Sequence, residues 1–332
     1  MEKLPVLPMQ EARPMHANEF AMYDIDLNET PSRIRRVNAT AEAAMRTSLG
    51  KYIHSSLETI GTRSIEQPSD AEMIVATATE YVERMIGIRP DCPVYWTGGL
   101  DDITADGTYN STEGVVQMVE APYQSDFIRY IDLCSLAIHE KTHETGIATR
   151  KGYAVRMLKD GEMIGRRVLT VTGPLKNKVN NHSAEELCGG VGHFFEEAFA
   201  EETAARWREE VITDLPSRID RISEKDFDKR MPGRYLHIPA EHISLSVPIL
   251  PKVAAPSIAA YSMDLLSDIS GVDFYDVMVK SRHPETEVEA KRTLVQSLNN
   301  VQPGLYRYLR DLPYSRKGFY EGLQLIRQVA DK

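Results

Sequence analysis

Residues 133–146, LCSLAIHEKTHETG, constrain this chain more than any other stretch. They contain His139-Glu140-Lys141-Thr142-His143, an HExxH pattern. On a helix, side chains at i and i+4 lie one above the other. His139 and His143 would therefore aim two imidazoles at one point, with Glu140 flanking it. That arrangement suits a divalent zinc ion with a general base beside it. Ser125-Asp126 can cap the start of the helix. Phe127, Ile128, Ile131, Cys134, Leu136 and Ile138 follow mostly helical apolar spacing, and Gly146 supplies a C′ stop. The expected helix runs over about 126–146. The plainer reading is a pair of surface histidines favoured by the negative end of the helix dipole.

A catalytic zinc site has three protein ligands and one open position, so two histidines need a third partner. Residues 182–211 offer it. Ser183 with Glu186 forms a capping-box pattern, and a helix is expected over about 183–211. Within it, Glu197 and Glu201 lie one turn apart on one face. Ala198 and Ala200 permit close packing against another helix, and Phe194, Phe195 and Phe199 supply core anchors. Glu197 is the expected third ligand, and Glu201 would accept a hydrogen bond from a ligand histidine. His193, one turn before Glu197, and His182, in the preceding loop, compete for the ligand role. Without a metal, these acids would be an ordinary solvated face.

The rest of the composition bounds the setting. A chain of 332 residues has room for one large domain or two lobes. Hydrophobic content of 42% and charged content of 27% suit a soluble globular protein. A net charge of −10 argues against nucleic acid or anionic membrane as the main partner. No apolar run reaches the length of a membrane span, and MEKLPVLPMQEARP lacks the apolar segment of a secretory signal. Cys92, Cys134 and Cys188 form no disulfide framework and no Cys-x-x-Cys pair, which suits a reducing cytoplasm. A non-classical export route stays compatible with the sequence. Nothing in the residues specifies an oligomeric state.

In chain order, residues 1–35 read as an extended N-terminal arm rich in Pro, Met and charge. Residues 36–215 read as one lobe. It has helices over 36–60 and 70–86, strands at 94–97 and 115–119, and a hairpin of 153–158 with 168–171 turning at Asp160-Gly161. Residues 216–332 read as a helical lobe. A Pro-rich connection over 229–256 precedes helices at 257–269, 273–280, 284–298 and 317–329. The expected class is α+β: a small mixed sheet packed on the HExxH helix, then a mainly helical lobe, with the site in the cleft between them.

HEKTH on one helix followed by EEAFAEE on a later one resembles the gluzincin class of zinc metallopeptidases, with its thermolysin-like and aminopeptidase-like members. The match covers about 133–146 and 192–205. The resemblance implies a zincin-like fold, Zn2+ as cofactor and a peptide or protein as substrate. It implies His139, His143 and Glu197 as metal ligands, Glu140 as general base and Glu201 behind a ligand histidine. Glu196 stands where the family usually has Asn. The resemblance also implies a Tyr or His that stabilises the oxyanion, and Tyr261, Tyr235, His237 and His242 are the candidates. Val115 to Val119 would serve as the sheet edge that pairs with substrate, or as an interior strand. The metzincin extension HExxHxxGxxH meets Gly146 but finds Thr149, a poor ligand, in its last position. Two further readings compete: a catalytically inactive zincin-fold binding or interaction protein, and a helical interaction protein without metal.

Overall fold

The computed structural model describes residues 19–28, 33–98, 107–120, 126–171, 192–211 and 255–331. The cap at Ser125, the Ser183–Glu186 capping box, His182, Cys188, Tyr235, His237, His242 and residues 216–254 of the C-terminal lobe lie outside the described residues.

The described chain is α+β. The first sheet has strands β1 (Glu19–Asp26), β2 (Arg33–Arg36), β6 (Lys151–Lys159) and β7 (Glu162–Val171), in the order β2-β1-β6-β7. β1 runs parallel to β6, while β2 and β7 are antiparallel to their neighbours. The stretch read as an N-terminal arm is therefore a separate arm only in part, because residues 19–26 are paired along their whole length with β6. Tight alternation fixes that register: Met22 and Ala154 bury their side chains together with Val37 and Met45. The β6–β7 hairpin turns where the sequence places it, with Asp160 at φ 53° and Gly161 at φ 80°, the left-handed pair that a two-residue hairpin turn requires.

The second sheet carries the site. Its strands are β3 (Val94–Thr97), β4 (Gly107–Asn110) and β5 (Val115–Val119), in the order β3-β5-β4. β5 is interior, parallel to β3 and antiparallel to β4. Of the two readings of Val115 to Val119, the interior strand holds. Among the described residues the edges are β3 and β4, and β4 is a strand the sequence reading did not anticipate.

Helices α1 (Ala39–Arg63) and α2 (Ala71–Ile86) precede this sheet. Asn38 caps α1 by accepting from the Ala41 N–H, and Gly87 ends α2 in the left-handed region. Helix α3 (Asp126–Glu144) carries HEKTH and packs against α2, β4, β5 and α4 (His193–Val211). Gly146 is not the left-handed stop expected for α3. The helix tightens instead into a 3-10 turn, Thr145–Ala148, that contains the glycine.

Helices α5 (Ala255–Ser270), α6 (Phe274–Lys280), α7 (Glu287–Val301), α8 (Leu305–Arg310) and α9 (Arg316–Ala330) follow. Gly271 at φ 67° ends α5, and the Asp273 side chain caps α6. The main core runs through α2, α3, α4 and the C-terminal helices without a break. Phe194 makes edge contacts with Phe195 at 5.6 Å and with Phe319 of α9 at 5.4 Å. Ala198 and Ala200 are fully buried, as close helix packing requires. No helix among the described residues is long and apolar enough to cross a membrane.

Candidate metal centre

α4 is unusual in what it buries. Phe194, Phe195, Phe199 and Trp207 are in the core, and so are Glu197, Glu201 and Arg208. A buried carboxylate requires a partner, and the partners of these acids define the site.

Glu197 faces α3. Its Oε2 lies 3.3 Å from His139 Nε2 and its Oε1 lies 3.7 Å from His143 Nε2. The two Nε2 atoms lie 3.2 Å apart. The rings meet edge to face, 5.0 Å between centroids. Three potential donors therefore converge on one point, as helical spacing requires of the two histidines.

The outer nitrogens of both imidazoles face further acids on α4. His139 Nδ1 lies 3.3 Å from Glu201 Oε2, close but poorly aligned. His143 Nδ1 lies 3.7 Å from Glu196 Oε2. Each of these acids is held by an arginine. Arg208 donates to Glu201 Oε1 at 2.8 Å, and the Ser257 hydroxyl donates to the same oxygen at 3.1 Å. Arg282 grips Glu196 with two bonds of 3.0 and 2.7 Å. Burial raises the Glu196 carboxyl, but Arg282 and His143 outweigh it and hold its pKa well below the usual range. No guanidinium pairs with Glu197 or Glu140 among the described residues.

That imbalance acts on His139. Burial alone depresses an imidazole pKa. The Glu197 and Glu201 carboxylates beside its two nitrogens, with the Glu140 charge nearby, overcome it and raise the His139 pKa to about 10. The pocket demands positive charge. Glu197, though buried, is held low by His143 and His139.

Glu140 is buried and turned toward β4. Burial raises its pKa, while His139, His143 and a hydrogen bond from the Tyr109 backbone N–H pull it back down. β4 approaches closely because Gly107 has no side chain: a Cβ there would lie 3.2 Å from Glu140 Cγ and 3.0 Å from Leu136 Cδ1. Arg150 ties this strand to the end of α3. It donates to the His143 carbonyl at 2.6 Å and to the Tyr109 hydroxyl, with its guanidinium 5.0 Å over that ring.

His193 is not grouped with the ligand atoms. It is half-buried, desolvation lowers its pKa, and its ring lies 5.0 Å from Tyr314. Thr149 hydrogen-bonds the Gly146 carbonyl at 3.4 Å. Tyr261 packs against the main core. Sequence reasoning missed Glu196 as a partner of His143, and missed Arg208, Arg282, Ser257 and Tyr314. Tyr314 is 57% exposed, and desolvation, with the charges of Glu197 and Glu140, pushes its pKa up.

A second group, Asp91, Cys92 and Glu144, also brings donor atoms together. Here a cation is already supplied. Lys141, buried behind the histidines, donates to Glu144 at 3.2 Å and to the Cys92 carbonyl at 2.6 Å. The Cys92 N–H donates to Glu144 at 2.7 Å.

The first group could hold a metal ion: one donor atom each from His139, His143 and Glu197 lies within 4.8 Å of the others. Two imidazoles and a carboxylate are a catalytic zinc donor set. No protein-family model, curated protein or solved structure matches this chain.

Proposed function

We propose that this chain is a zinc-dependent metallopeptidase of the gluzincin type, with a zincin-like arrangement of α3, α4 and the β4 edge. The observation that carries the reading is the convergence of donor atoms of His139, His143 and Glu197 within 4.8 Å of one another, beside a buried Glu140 that the ligand set does not need.

His139, His143 and Glu197 would hold the ion, leaving one position open to solvent and substrate. When bound, zinc would supply a water acidified to about pKa 7 and a means of polarising a carbonyl. Glu140 accepts the proton of the attacking water and passes it to the leaving amine nitrogen. Its elevated pKa suits both halves of that transfer. The Tyr109 N–H holds the carboxylate in place. Tyr314, whose pKa is pushed up by desolvation and by the charges of Glu197 and Glu140, joins Tyr261, Tyr235, His237 and His242 as a candidate donor to a developing oxyanion. β4, an edge strand that packs against α3, offers backbone groups for an extended peptide to pair with.

The test has two parts. Purified protein should carry about one zinc per chain, and Glu197→Ala should lose it. A peptide-library screen should detect cleavage that Glu140→Gln reduces at least ~100-fold with zinc retained. A protein that takes up no zinc after reconstitution ends the reading. Zinc binding with equal turnover by the wild type and Glu140→Gln ends the assignment of the base.

A further inference from the structure

We infer that Arg208 and Arg282 are positioning residues for the metal: each guanidinium holds one glutamate against the outer nitrogen of one ligand histidine. The inference rests on the metal reading above and extends it to residues outside HExxH and its downstream Glu.

The two arms are parallel. In one, Arg208 and Ser257 both bond Glu201 Oε1, at 2.8 and 3.1 Å. This leaves Oε2 facing His139 Nδ1 at 3.3 Å. In the other, Arg282 holds both oxygens of Glu196, and Oε2 faces His143 Nδ1 at 3.7 Å. Glu196 and Glu201 flank Glu197 on α4. One helix thus presents a ligand and the acids behind both other ligands. The arginines come from different places: Arg208 lies further along α4, and Arg282 follows α6.

An imidazole can ligate a metal through Nε2 only when Nδ1 carries the proton. A carboxylate at Nδ1 fixes that tautomer and the ring orientation. It does so reliably only if it does not rotate away, and a guanidinium holds it in place through planar, charge-assisted bonds. Stability alone is a poor reason for the arrangement, since buried ion pairs contribute little against their desolvation. Moreover, Nε of both arginines is buried without a partner among the described residues. Arg282 is wholly buried, 4.8 Å over the Phe199 ring. Two such pairs, each backing one histidine, point to the histidines as their purpose.

The test measures zinc affinity of the full chain by chelator competition, and the visible absorption of its cobalt form. Arg282→Lys keeps the charge but loses the two-pronged grip. Ser257→Ala deletes one bond to Glu201 without stranding a charge. The double variant Glu196→Gln/Arg282→Met removes a whole arm and leaves no orphan ion. Expected are zinc affinities weakened about 10-fold or more in Arg282→Lys and 10–100-fold in the double variant. Ser257→Ala should weaken zinc in the same direction, and the cobalt bands should shift. Melting of the metal-free proteins monitors the fold. Wild-type affinity and an unshifted cobalt spectrum in Arg282→Lys and Ser257→Ala would overturn the inference, and this holds even if the double variant does not fold. Failure of the underlying metal reading looks different: the wild type itself would take up neither zinc nor cobalt.

Discussion

Gly107→Ala is the sharpest probe of how β4 sets the base. The backbone there is not left-handed, so alanine carries no φ penalty, and the whole effect is steric. The added Cβ would sit 3.0 Å from Leu136 Cδ1, 3.1 Å from Leu136 Cγ and 3.2 Å from Glu140 Cγ. Relaxed carbon–carbon contact is about 3.5–4.0 Å. Leu136 can yield by rotating its branch. Glu140 yields less readily, because its carboxylate accepts from the Tyr109 N–H on the same strand. Either β4 lifts by about half an ångström or Glu140 turns away. A misplacement of about 1 Å costs about 100-fold in rate. Half of that should cost about 10-fold in kcat/KM, or about 1.4 kcal/mol. Zinc affinity should stay within about twofold, since the Nε2 atoms and Glu197 lie on the far side of the contact. Overpacking should also lower stability by about 1–3 kcal/mol. The assay is kcat/KM on a fluorogenic peptide cleaved by the wild type, with zinc affinity and urea unfolding measured in parallel. Adding Leu136→Ala should recover stability but not rate. Full activity in Gly107→Ala would refute the reasoning. So would a loss of zinc that matches the loss of rate, because the strand would then be aligning ligands and not the base.

Two more predictions concern the frame. Phe194, fully buried between Phe195 and Phe319, joins α4 to the last helix. Phe194→Ala should cost about 3–5 kcal/mol in urea unfolding of the metal-free protein, and a cost below ~1 kcal/mol would show that α4 is not anchored there. Asp70 and Glu120 clamp Arg129 at 2.6 and 2.7 Å, tying the start of α2 to α3. The Arg129 hydrogen bond holds the Asp70 carboxyl below its ordinary value of 3.8 against the effect of burial. A depressed folded pKa stabilises the protein above the unfolded pKa, and that stability is lost as pH falls through the folded value. Asp70→Asn should therefore lower stability at pH 7 by about 0.5–1 kcal/mol and flatten the loss below about pH 4. An unchanged acid limb of the stability–pH curve would remove Asp70 from that role.

What was legible in the sequence was local. The spacing of His139 and His143 follows from helical geometry alone, and so does that of Glu197 and Glu201. The Asp160-Gly161 turn follows from backbone sterics. What stayed hidden was non-local. Arg282 lies in SRHP after a short helix and reads as a surface turn, yet it is wholly buried against Glu196, 86 residues away. Arg208 finds Ser135 across 73 residues. β4 is only four residues long and has a single buried position, too short for alternation to reveal it. Tyr314 sits in a polar connection, between Pro313 and the cap residue Ser315. One signal was available: α4 mixes acids at nearly every turn with Phe194, Phe195, Phe199 and Trp207. Where large apolar residues and acids share one short stretch of helix, the acids have no separate solvated face: Glu197 and Glu201 are buried and Glu196 is half-buried, and a buried carboxylate needs a partner.

That charge balance is the strongest physical link between fold and proposed function. Two of the three acids receive arginines, and Glu197 receives only the histidines. Burying an unpaired carboxylate costs several kcal/mol unless something neutralises it. In the metal-free protein a proton on His139 does so, at a pKa raised to about 10. A divalent ion does it better, because it carries twice the charge at the point where His139, His143 and Glu197 already converge. The same arrangement is wasteful in a protein that binds no cation. There, glutamine at 197 would keep the packing and remove the buried charge. Glu197→Gln tests the reading: it should abolish metal uptake and, because His143 and His139 hold the Glu197 carboxyl below its ordinary pKa, it should also destabilise the metal-free fold at pH 7. Undiminished zinc uptake by the variant would refute the role given to Glu197.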